Sequence, residues 1–312
     1  MAPAVDVTRI VAADEPGIAA AVAALAQGEL IGLPTETVYG LAADATNDDA
    51  LRRVFGVKGR PAGHPLIVHI ADVSWLGTLA IDVAPACRAL VEHAWPGPLT
   101  VVVRARDTVS RVATGGRDTV AVRMPAHDAA LAIISRLGRP VAAPSANRFG
   151  GVSPTTARHV VNDLGGEIAL VVDGGACDIG VESTIVDCTL GRPEILRPGA
   201  ITDDDVRRIL APSGTSIGDG VTGESRAPGM LARHYAPAAR LVLHESAATL
   251  PRDECPVLDC ASDLVEAART LYARLRELDA VGHTIVHVLL PHATGLGHAL
   301  RDRLRKAATP AK

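Results

Sequence analysis

LIGLPTETVYG, residues 30–40, joins a short apolar run to a cluster of hydroxyl-bearing side chains. Its first four residues are typical of a short buried strand that runs into Pro34. Ligands in open α/β sheets usually lie at the carboxyl ends of strands. The segment after the strand offers the hydroxyl groups of Thr35, Thr37 and Tyr39. These residues are therefore candidates for ligand binding, although a strand-end turn with incidental hydroxyls would have the same pattern.

Short apolar runs alternate with helical patterns on both sides of this segment. Strands are predicted at 30–33, 66–70, 99–103, 119–123, 141–143, 168–172, 184–187 and 194–196. Helices are predicted at 15–27, 47–55, 83–93, 128–137 and 154–164, the last with Ser153 as its N-cap and Pro154 in the first turn. This alternation predicts an α/β fold with helices packed on a sheet. Some strands are separated by turns alone, so we expect the sheet to be mixed.

The pattern changes near Thr202, where a capping-box sequence predicts a short helix that ends near Leu210. Residues 211–228 lack periodicity and are rich in Gly, Ser, Thr and Pro, as a linker would be. Strands are then predicted at 241–244 and 284–290, and helices at 262–278 and 297–307. We therefore expect a domain of residues 1–200, a linker of 201–238 that could cover the active site, and a small α/β domain of 239–312.

The composition is that of an ordinary globular protein. The chain has 312 residues, 48% of them apolar, and a formal net charge of -4, which argues against a protein that coats nucleic acid along its whole surface. Its five cysteines have neither even pairing nor C-x-x-C spacing, so we expect thiols in a reducing compartment. We find no signal-peptide pattern and no apolar run of membrane-spanning length, and we expect a cytoplasmic protein.

KGRPAGHPLIVH, residues 58–69, combines two cations with two histidines. Lys58 is one of only three lysines in the chain, and an ammonium group can contact phosphate or carboxylate in ways that guanidinium cannot. Lys58 and Arg60 could grip separate oxygens of a polyphosphate. His69 lies on the strand that follows, where a lone histidine is more often a core residue than a ligand. No G-x-x-x-x-G-K-[ST] loop is present in the sequence, so any ATP binding must use separate side chains.

Two further strands end in polar residues. In TVAVRMP, residues 119–125, Thr119 and Arg123 share one face by the period of two. An arginine on an apolar strand is costly to bury without an anion, which could be a protein or a substrate carboxylate. In APSAN, residues 143–147, a strand end delivers Ser145 and Asn147. Ser153 at a helix N-terminus would offer an anion site or simply a good cap.

The remaining motifs are DGG (173–175), ESTI (182–185), RPG (197–199) and HYAP (234–237). Ser183 and Arg197 again lie at strand ends, and the HYAP segment could fold back over a site or merely join two domains. Together the motifs supply hydroxyls, Arg, Lys and His, with no nucleophile triad and no metal-ligand set. This inventory favours binding of an anionic nucleotide and a small polar acid, with catalysis by charge neutralisation and positioning.

The ordered motifs PTETVYGL, KGRPxxHPLIVH, WPGPLT, VAVRMP, APSAN, DGG, ESTI, RPG and HYAP resemble the YrdC/Sua5 family of threonylcarbamoyl-adenylate synthases. The likeness spans Gly28 to Gly199, and HYAP with the small tail domain points to the two-domain Sua5 type. The resemblance implies an open, twisted, mixed YrdC-like sheet with helices packed on it. It also implies a small Rossmann-like C-terminal domain.

The resemblance also implies residue roles. The L-threonine site would be lined by Thr37, His69, Arg123, Ala143 and Ser183. ATP would be contacted by Arg60, His64, Thr119, Ser145, Ser153, Arg197 and Tyr235. The catalytic residues would be Lys58, Arg60, Ser145 and Asn147, with Lys58 and Asn147 supporting phosphate or bicarbonate. Family members often have Asn where His64 stands.

The implied reaction joins L-threonine, bicarbonate or CO2, and ATP into threonylcarbamoyl-AMP and pyrophosphate. ATP would be a substrate, with Mg²⁺ carried on it and no protein metal site. The product would pass to a tRNA threonylcarbamoyl transferase complex that modifies tRNAs reading ANN codons. A weak contact with tRNA or double-stranded RNA is also implied, and no membrane contact.

Three other functions remain open at this point. An RNA-binding module of the same fold is disfavoured by the scarcity of aromatic stacking residues, only 2% of the chain. A carbamoyl-adenylate-forming enzyme would carry additional modules that this sequence lacks. A regulatory or interaction protein would depend on its tail domain and tolerate changes in the candidate site.

Overall fold

The computed structural model describes residues 7–61, 63–218, 228–230, 233–251 and 254–310. Its larger sheet is formed by β1 (Arg9–Ala12), β2 (Ile31–Leu33), β3 (Gly40–Asp44), β4 (Ile67–His69), β5 (Ala80–Ile81), β6 (Leu99–Ala105), β7 (Thr119–Arg123), β8 (Val141–Ala142), β9 (Leu170–Asp173), β10 (Thr184–Asp187) and β11 (Glu194–Arg197). The strand order is β1-β9-β2-β3-β8-β4-β7-β6-β10-β11, with β5 paired to β6. The sheet contains parallel pairs such as β4–β7 and antiparallel pairs such as β6–β7, which confirms the mixed α/β sheet.

Helices cover one face of this sheet fully and the other face only in part. They are α1 (Glu15–Ala26), α2 (Asp48–Lys58), α3 (Leu76–Leu79), α4 (Pro85–Ala94), α5 (Asp128–Leu137), α6 (Ala157–Leu164) and α7 (Asp203–Leu210). Alternate strand residues pack with α2, α4, α6 and α7 on the first face. On the second face, α1 and α5 pack over the half that contains β2, β3 and β9.

The other half of the second face has no helix on it among the described residues. A small apolar patch there consists of Ile67, Val102, Ala121, Ile185 and Leu196. An apolar side chain of the linker, Met230, packs on this patch from outside the sheet. This half of the sheet is therefore the natural place for a ligand, because the strands present side chains that no helix covers.

A second, smaller sheet follows the linker. It contains β12 (Arg240–His244), β13 (Val257–Asp259) and β14 (Ile285–Leu289), all parallel, in the order β12-β14-β13. Two helices accompany it, α8 (Leu264–Val281) and α9 (Gly297–Ala308). The parallel sheet with its helices agrees with the expected Rossmann-like tail. Its apolar core also includes Val38, Val152 and Val181 of the larger unit, so the two units pack against each other directly.

The structure corrects several sequence predictions. Strands β1, β3, β5 and β13 were not predicted. The predicted N-cap Ser153 is wrong, because α6 begins later and its cap is Thr156, whose side chain accepts a hydrogen bond from the His159 amide. The capping box of α7 is confirmed, with Thr202 and Asp205 bonded reciprocally. Of the predicted linker, residues 219–227 lie outside the described residues.

Candidate active site

A pocket lies beside the uncovered half of the sheet, where β4 and β7 end side by side. These strands are parallel, and their register places His69 beside Arg123. The pocket collects residues from seven separate segments of the chain. Nine of the predicted site residues line it, namely Thr37, Arg60, His69, Arg123, Ala143, Ser145, Ser183, Arg197 and Tyr235. Motifs that are up to 198 positions apart in sequence therefore meet in one place.

Arg123 reaches the pocket from the end of β7 and is bound by three partners. Its Nη1 donates to Thr37 Oγ1 at 2.8 Å and its Nε donates to the Gly97 carbonyl at 3.2 Å. Its Nη2 lies 2.7 Å from Glu36 Oε1 in an ion pair, without the geometry of a hydrogen bond. Both charged side chains are buried, with 5% and 6% of their surface exposed. The sequence predicted an anionic partner for Arg123, and in the structure Glu36 is such a partner. Glu36 belongs to the first motif, but the sequence analysis did not single it out.

Neutral polar groups line the wall next to Arg123. Burial and the nearby Arg123 charge lower the pKa of His69 to about 3, so its imidazole is neutral at physiological pH. His69 Nδ1 lies 3.2 Å from the carbonyl of Ile67. On the opposite side, Ser183 Oγ lies 2.7 Å from Thr100 Oγ1. These groups offer donors and acceptors without a further charge, which suits the hydroxyl and amine of a small amino acid.

Two more guanidinium groups enter the pocket. Arg197, at the end of β11, donates to the Ser183 carbonyl from Nε and Nη2 and to the Pro228 carbonyl from Nη1. Arg60 donates from Nη2 to the Pro65 carbonyl at 2.9 Å, and its buried Nε has no hydrogen-bond partner among the described residues. Burial lowers the pKa of Arg60 to about 10, so it keeps its charge at neutral pH. A pocket with three buried arginines is suited to anions.

Lys58 and Asn147 lie behind the pocket and are not among its lining residues. Lys58 Nζ donates to the carbonyls of Ser145 and Asn147, at 2.5 and 2.6 Å. The Asn147 amide donates to the carbonyls of Arg148 and Gly151, while its buried Oδ1 has no partner among the described residues. Burial holds the pKa of Lys58 well below its usual range. In this structure Lys58 therefore fixes the loop that presents Ser145.

Three other predicted ATP contacts also lie outside the lining. Thr119 begins β7, about 13 Å from Arg123 at the usual rise per residue. His64 is half-buried, and its ring lies edge-on to Phe149 with 5.9 Å between ring centres. Ser153 is fully buried, and its hydroxyl donates to Glu182 Oε1 at 2.6 Å. The structure therefore gives Ser153 a carboxylate partner in place of the expected cap.

Linker residues fill much of the pocket. Pro228, Gly229, His234 and Tyr235 all belong to its lining. The remaining cavity has a volume of about 50 Å³, whereas one water molecule needs roughly 10–15 Å³ by the same measure. In this arrangement the space has room for only a few water molecules.

Glu182 is the second functional residue that sequence reasoning missed. It lines the pocket and binds both Tyr272 of α8, through a hydroxyl at 2.8 Å, and Arg303 of α9, through Nε at 2.7 Å. Burial alone would raise the pKa of this carboxyl, but the guanidinium groups of Arg303 and Arg197 outweigh it and lower the pKa to about 2. The only sequence signal that could have pointed to Glu182 was its place in the ESTI motif.

The described residues contain no group of three or more His, Cys, Asp or Glu side chains that could hold a metal ion. No described helix is long and apolar enough to cross a membrane. The four cysteines Cys87, Cys177, Cys188 and Cys260 are buried free thiols and Cys255 is half-buried, none of them in the pocket lining.

Two family profiles match the chain. The profile of the Sua5/YciO/YrdC family, described as Telomere recombination, matches residues 23–199. The profile described as Threonylcarbamoyl-AMP synthase, C-terminal domain, matches residues 201–309.

Relatives match over nearly the whole chain. A threonylcarbamoyl-AMP synthase of Pyrococcus abyssi is 40% identical over 90% of this chain and 91% of its own length. One of Bacillus subtilis is 39% identical over 97% of this chain and 96% of its own length. The crystal structure of Pyrococcus abyssi Sua5 complexed with L-threonine has a TM-score of 0.90 and 38% identity, and covers 96% of this chain and 98% of that one. This chain therefore belongs to the Sua5/YciO/YrdC family and is of the two-domain Sua5 type.

Proposed function

We propose that this protein is an L-threonylcarbamoyladenylate synthase, which condenses L-threonine, bicarbonate or CO2, and ATP into threonylcarbamoyl-AMP and pyrophosphate in the pocket described above. The observation that carries the proposal is the convergence of three buried arginines with neutral hydroxyl and imidazole groups on the uncovered half of the sheet. The whole-length similarity to proteins named threonylcarbamoyl-AMP synthase supports it.

Arg123 would bind the carboxylate of L-threonine. A guanidinium group has five N–H donors, and Glu36, Thr37 and Gly97 engage only some of them. Neutral His69 and the hydroxyls of Thr37 and Ser183 would orient the threonine side chain and amine, with the backbone at Ala143 closing the wall. Glu36 would offset the charge of Arg123, so that the pair adds no net positive charge to the site.

The reaction would then proceed in two steps. The threonine amine attacks CO2 derived from bicarbonate and loses a proton, which forms the N–C bond of N-carboxy-threonine. The new carboxylate attacks the α-phosphorus of ATP, and the bond to the β-phosphate oxygen breaks to release pyrophosphate. Negative charge grows on the phosphate oxygens during this step, and Arg60 and Arg197 would offset it. Lys58, through the loop that carries Ser145 and Asn147, would hold the phosphate-facing groups in place.

ATP would bind between the strand ends and the linker residues that line the pocket. The predicted contacts Arg60, Ser145, Arg197 and Tyr235 lie there, while His64, Thr119 and Ser153 would mark the outer extent of the nucleotide. Mg²⁺ would arrive on the phosphates as part of the substrate, as is usual for this ion. We also propose that residues 1–200 form the catalytic domain, 201–238 the covering linker, and 239–312 the second domain.

The product would serve a tRNA threonylcarbamoyl transferase complex in the cytoplasm, for tRNAs that read ANN codons. A mixed anhydride of a carbamate and AMP is prone to hydrolysis, so a dedicated transferase must consume it. Weak contact with tRNA at the basic residues near the pocket is part of this proposal. A pure RNA-binding or carbamoyl-adenylate-forming role has no specific observation in its favour.

One assay tests the function. Pyrophosphate release from ATP is measured with threonine and bicarbonate present and with each omitted in turn. We expect release only with all three substrates, and serine in place of threonine to be used poorly. Pyrophosphate release that is independent of threonine would contradict the proposal.

A further inference from the structure

The proposed reaction gives no role to Arg303, the most deeply buried arginine among the described residues. Arg303 of α9 is completely buried, with 0% of its side chain exposed. A buried guanidinium is costly unless anions and carbonyl groups compensate it. Arg303 lies in the second unit of the chain, so its contacts show which residues of the pocket that unit touches.

Arg303 contacts three groups beside the pocket at once. Its Nε donates to Glu182 Oε2 at 2.7 Å and its Nη2 donates to the Pro198 carbonyl at 3.0 Å. Its guanidinium carbon lies 5.1 Å from the centre of the Tyr235 ring, within the range of a cation–π contact. Asp302, the neighbouring residue, accepts from Nη1 at 2.6 Å.

Each of these three partners adjoins a group that the reaction would use. Glu182 directly precedes Ser183, and Pro198 directly follows Arg197. Tyr235 lies in the pocket lining itself. One side chain of α9 therefore fixes both walls of the pocket, the strand ends on one side and the linker on the other.

The next turn of α9 reinforces the linker contact. Lys306 Nζ donates to the Gly229 carbonyl at 2.6 Å, and the Lys306 carbonyl accepts from the His234 amide at 3.3 Å. Residues 302, 303 and 306 lie on one face of α9. This face contacts the linker at Gly229, His234 and Tyr235. We call this face the α9 latch.

A second contact between the two units provides a comparison. Arg276 of α8 forms an ion pair with Asp163 of α6 at 2.6 Å and also donates to the Val152 carbonyl. Asp163 is not part of the pocket lining, and its side chain pairs with Arg276. Both α8 and α9 therefore reach the pocket wall through Glu182, whereas the Arg276–Asp163 pair lies outside the pocket lining.

From this geometry we infer that Arg303 is a positioning residue of the synthase, which sets Ser183 and Arg197 through Glu182 and Pro198 and holds Tyr235 of the linker against them. The inference rests on the proposed function and assigns to the second domain a defined task in it. Arg303 itself does not touch the pocket, so it acts only through these neighbours.

Steady-state kinetics of the full-length protein test the inference. The variant Arg303→Met keeps an unbranched apolar side chain in place of the arginine stem but removes the charge. We expect kcat/KM for both ATP and threonine to fall about tenfold or more. Arg303→Lys restores a cation and should recover part of this loss. Asp163→Asn is the matched control, since it weakens the domain contact away from the site, and it should stay within about twofold of the wild type.

A double-variant comparison separates positioning from simple stability. If Arg303 acts through Glu182, Arg303→Met should cost much less in a Glu182→Gln background than in the wild type. Thermal unfolding of each variant shows whether the protein assayed is folded. Wild-type kinetics in both Arg303 variants, or an equal loss in Asp163→Asn, would overturn the inference.

Hydrogen exchange supplies a readout that does not depend on activity. The His234 amide donates to Lys306 and the Ala236 amide donates to Gly150, so both are protected while the linker is held. We expect faster exchange at these amides in Arg303→Met and Arg303→Lys, and wild-type exchange at the His234 amide in Asp163→Asn. Unchanged exchange in both Arg303 variants would refute the latch, whereas absent threonine-dependent pyrophosphate release in the wild type would refute the proposed function alone.

Discussion

Arg123 is the residue on which the proposed threonine site depends most directly. Its strand is apolar on both sides, so the guanidinium enters an environment where it needs anionic partners. Glu36 is one such partner at 2.7 Å. Hydrogen bonds to Thr37 and to the Gly97 carbonyl fix the orientation of the guanidinium. A substrate carboxylate that completes this arrangement is bound by a group that is already oriented, which lowers the entropic cost of binding.

We predict that Arg123→Ala weakens the use of threonine by about 2 kcal/mol or more, or about thirtyfold in kcat/KM for threonine, because a buried charged pair loses one partner. Pyrophosphate release at varied threonine concentrations measures this effect. Arg104→Ala provides the control, since Arg104 is an exposed residue of the neighbouring strand β6. Threonine dependence equal to that of the wild type would remove Arg123 from the site.

From the sequence we predicted which residues gather at one pocket more reliably than the ion-pair and hydrogen-bond partners of each residue. Arg123 was placed next to an anion by the cost of burying charge, but whether that anion was a protein or a substrate group could not be decided without the fold. Lys58 was expected to face an anion and instead donates to two carbonyls. Glu36 and Glu182 went unnoticed because their partners lie 87 and 121 positions away in the chain.

At the scale of elements, the linker and the uncovered half of the sheet form one functional unit. Met230 packs on the apolar patch of that half, and Tyr235 is buried between the pocket and α9. The Tyr235 ring stacks on Tyr272 with 5.8 Å between centres and lies against His234. Its hydroxyl has no hydrogen-bond partner among the described residues, so its present anchorage is due to packing and the Arg303 charge.

We predict that Tyr235→Ala raises the apparent KM for ATP about tenfold, because the ring that closes the nucleotide side of the pocket loses its packing. Tyr235→Phe separates the two contributions of this residue. The phenyl ring retains the packing, so Phe should be near the wild type if closure alone matters. It should resemble Ala if the hydroxyl contacts ATP. Wild-type kinetics in Tyr235→Ala would show that the linker does not cover the bound nucleotide.

Helices and strands with clear periodicity were predicted from the sequence, and the failures have physical causes. The strand β3 was missed because Gly40–Asp44 is short and almost fully buried, so it lacks the alternation that marks an exposed strand. The cap of α6 was misplaced because Ser153 is a good cap by type, yet the buried carboxylate of Glu182 competes for its hydroxyl. Long-range contacts decided both outcomes.

At the scale of the whole molecule, the two units share one buried polar cluster. Glu182 belongs to the larger unit, while Tyr272 and Arg303 belong to the smaller one. Nothing in a local sequence window indicates that these groups meet, since α8 and α9 read as ordinary amphipathic helices. The fold class and the positions of the motifs could be predicted from the sequence, but the coupling between the units could not.

Buried neutral histidines make the stability of the molecule depend on pH. Burial lowers the pKa of His69 and of His234 to about 3, while an unfolded chain titrates its histidines near 6.5. Between these values the unfolded state binds more protons than the folded state, so the free energy of unfolding rises with pH in this window. Stability is therefore lost as the pH falls below 6.5. The carboxylate of Glu182, with a pKa of about 2, adds a further loss only below its unfolded value of 4.5.

We predict that His69→Gln reduces the slope of the unfolding free energy against pH by about 1.4 kcal/mol per pH unit between pH 6 and 4.5, since one proton uptake is removed. Glutamine retains a donor for the Ile67 carbonyl, so the fold should persist. Urea unfolding at several pH values measures the slope, and His93→Gln, at an exposed position on α4, should leave it almost unchanged. An identical slope in His69→Gln and the wild type would mean that His69 takes up a proton in the folded protein, and a positively charged imidazole beside Arg123 would then have to be included in the electrostatics of the threonine site.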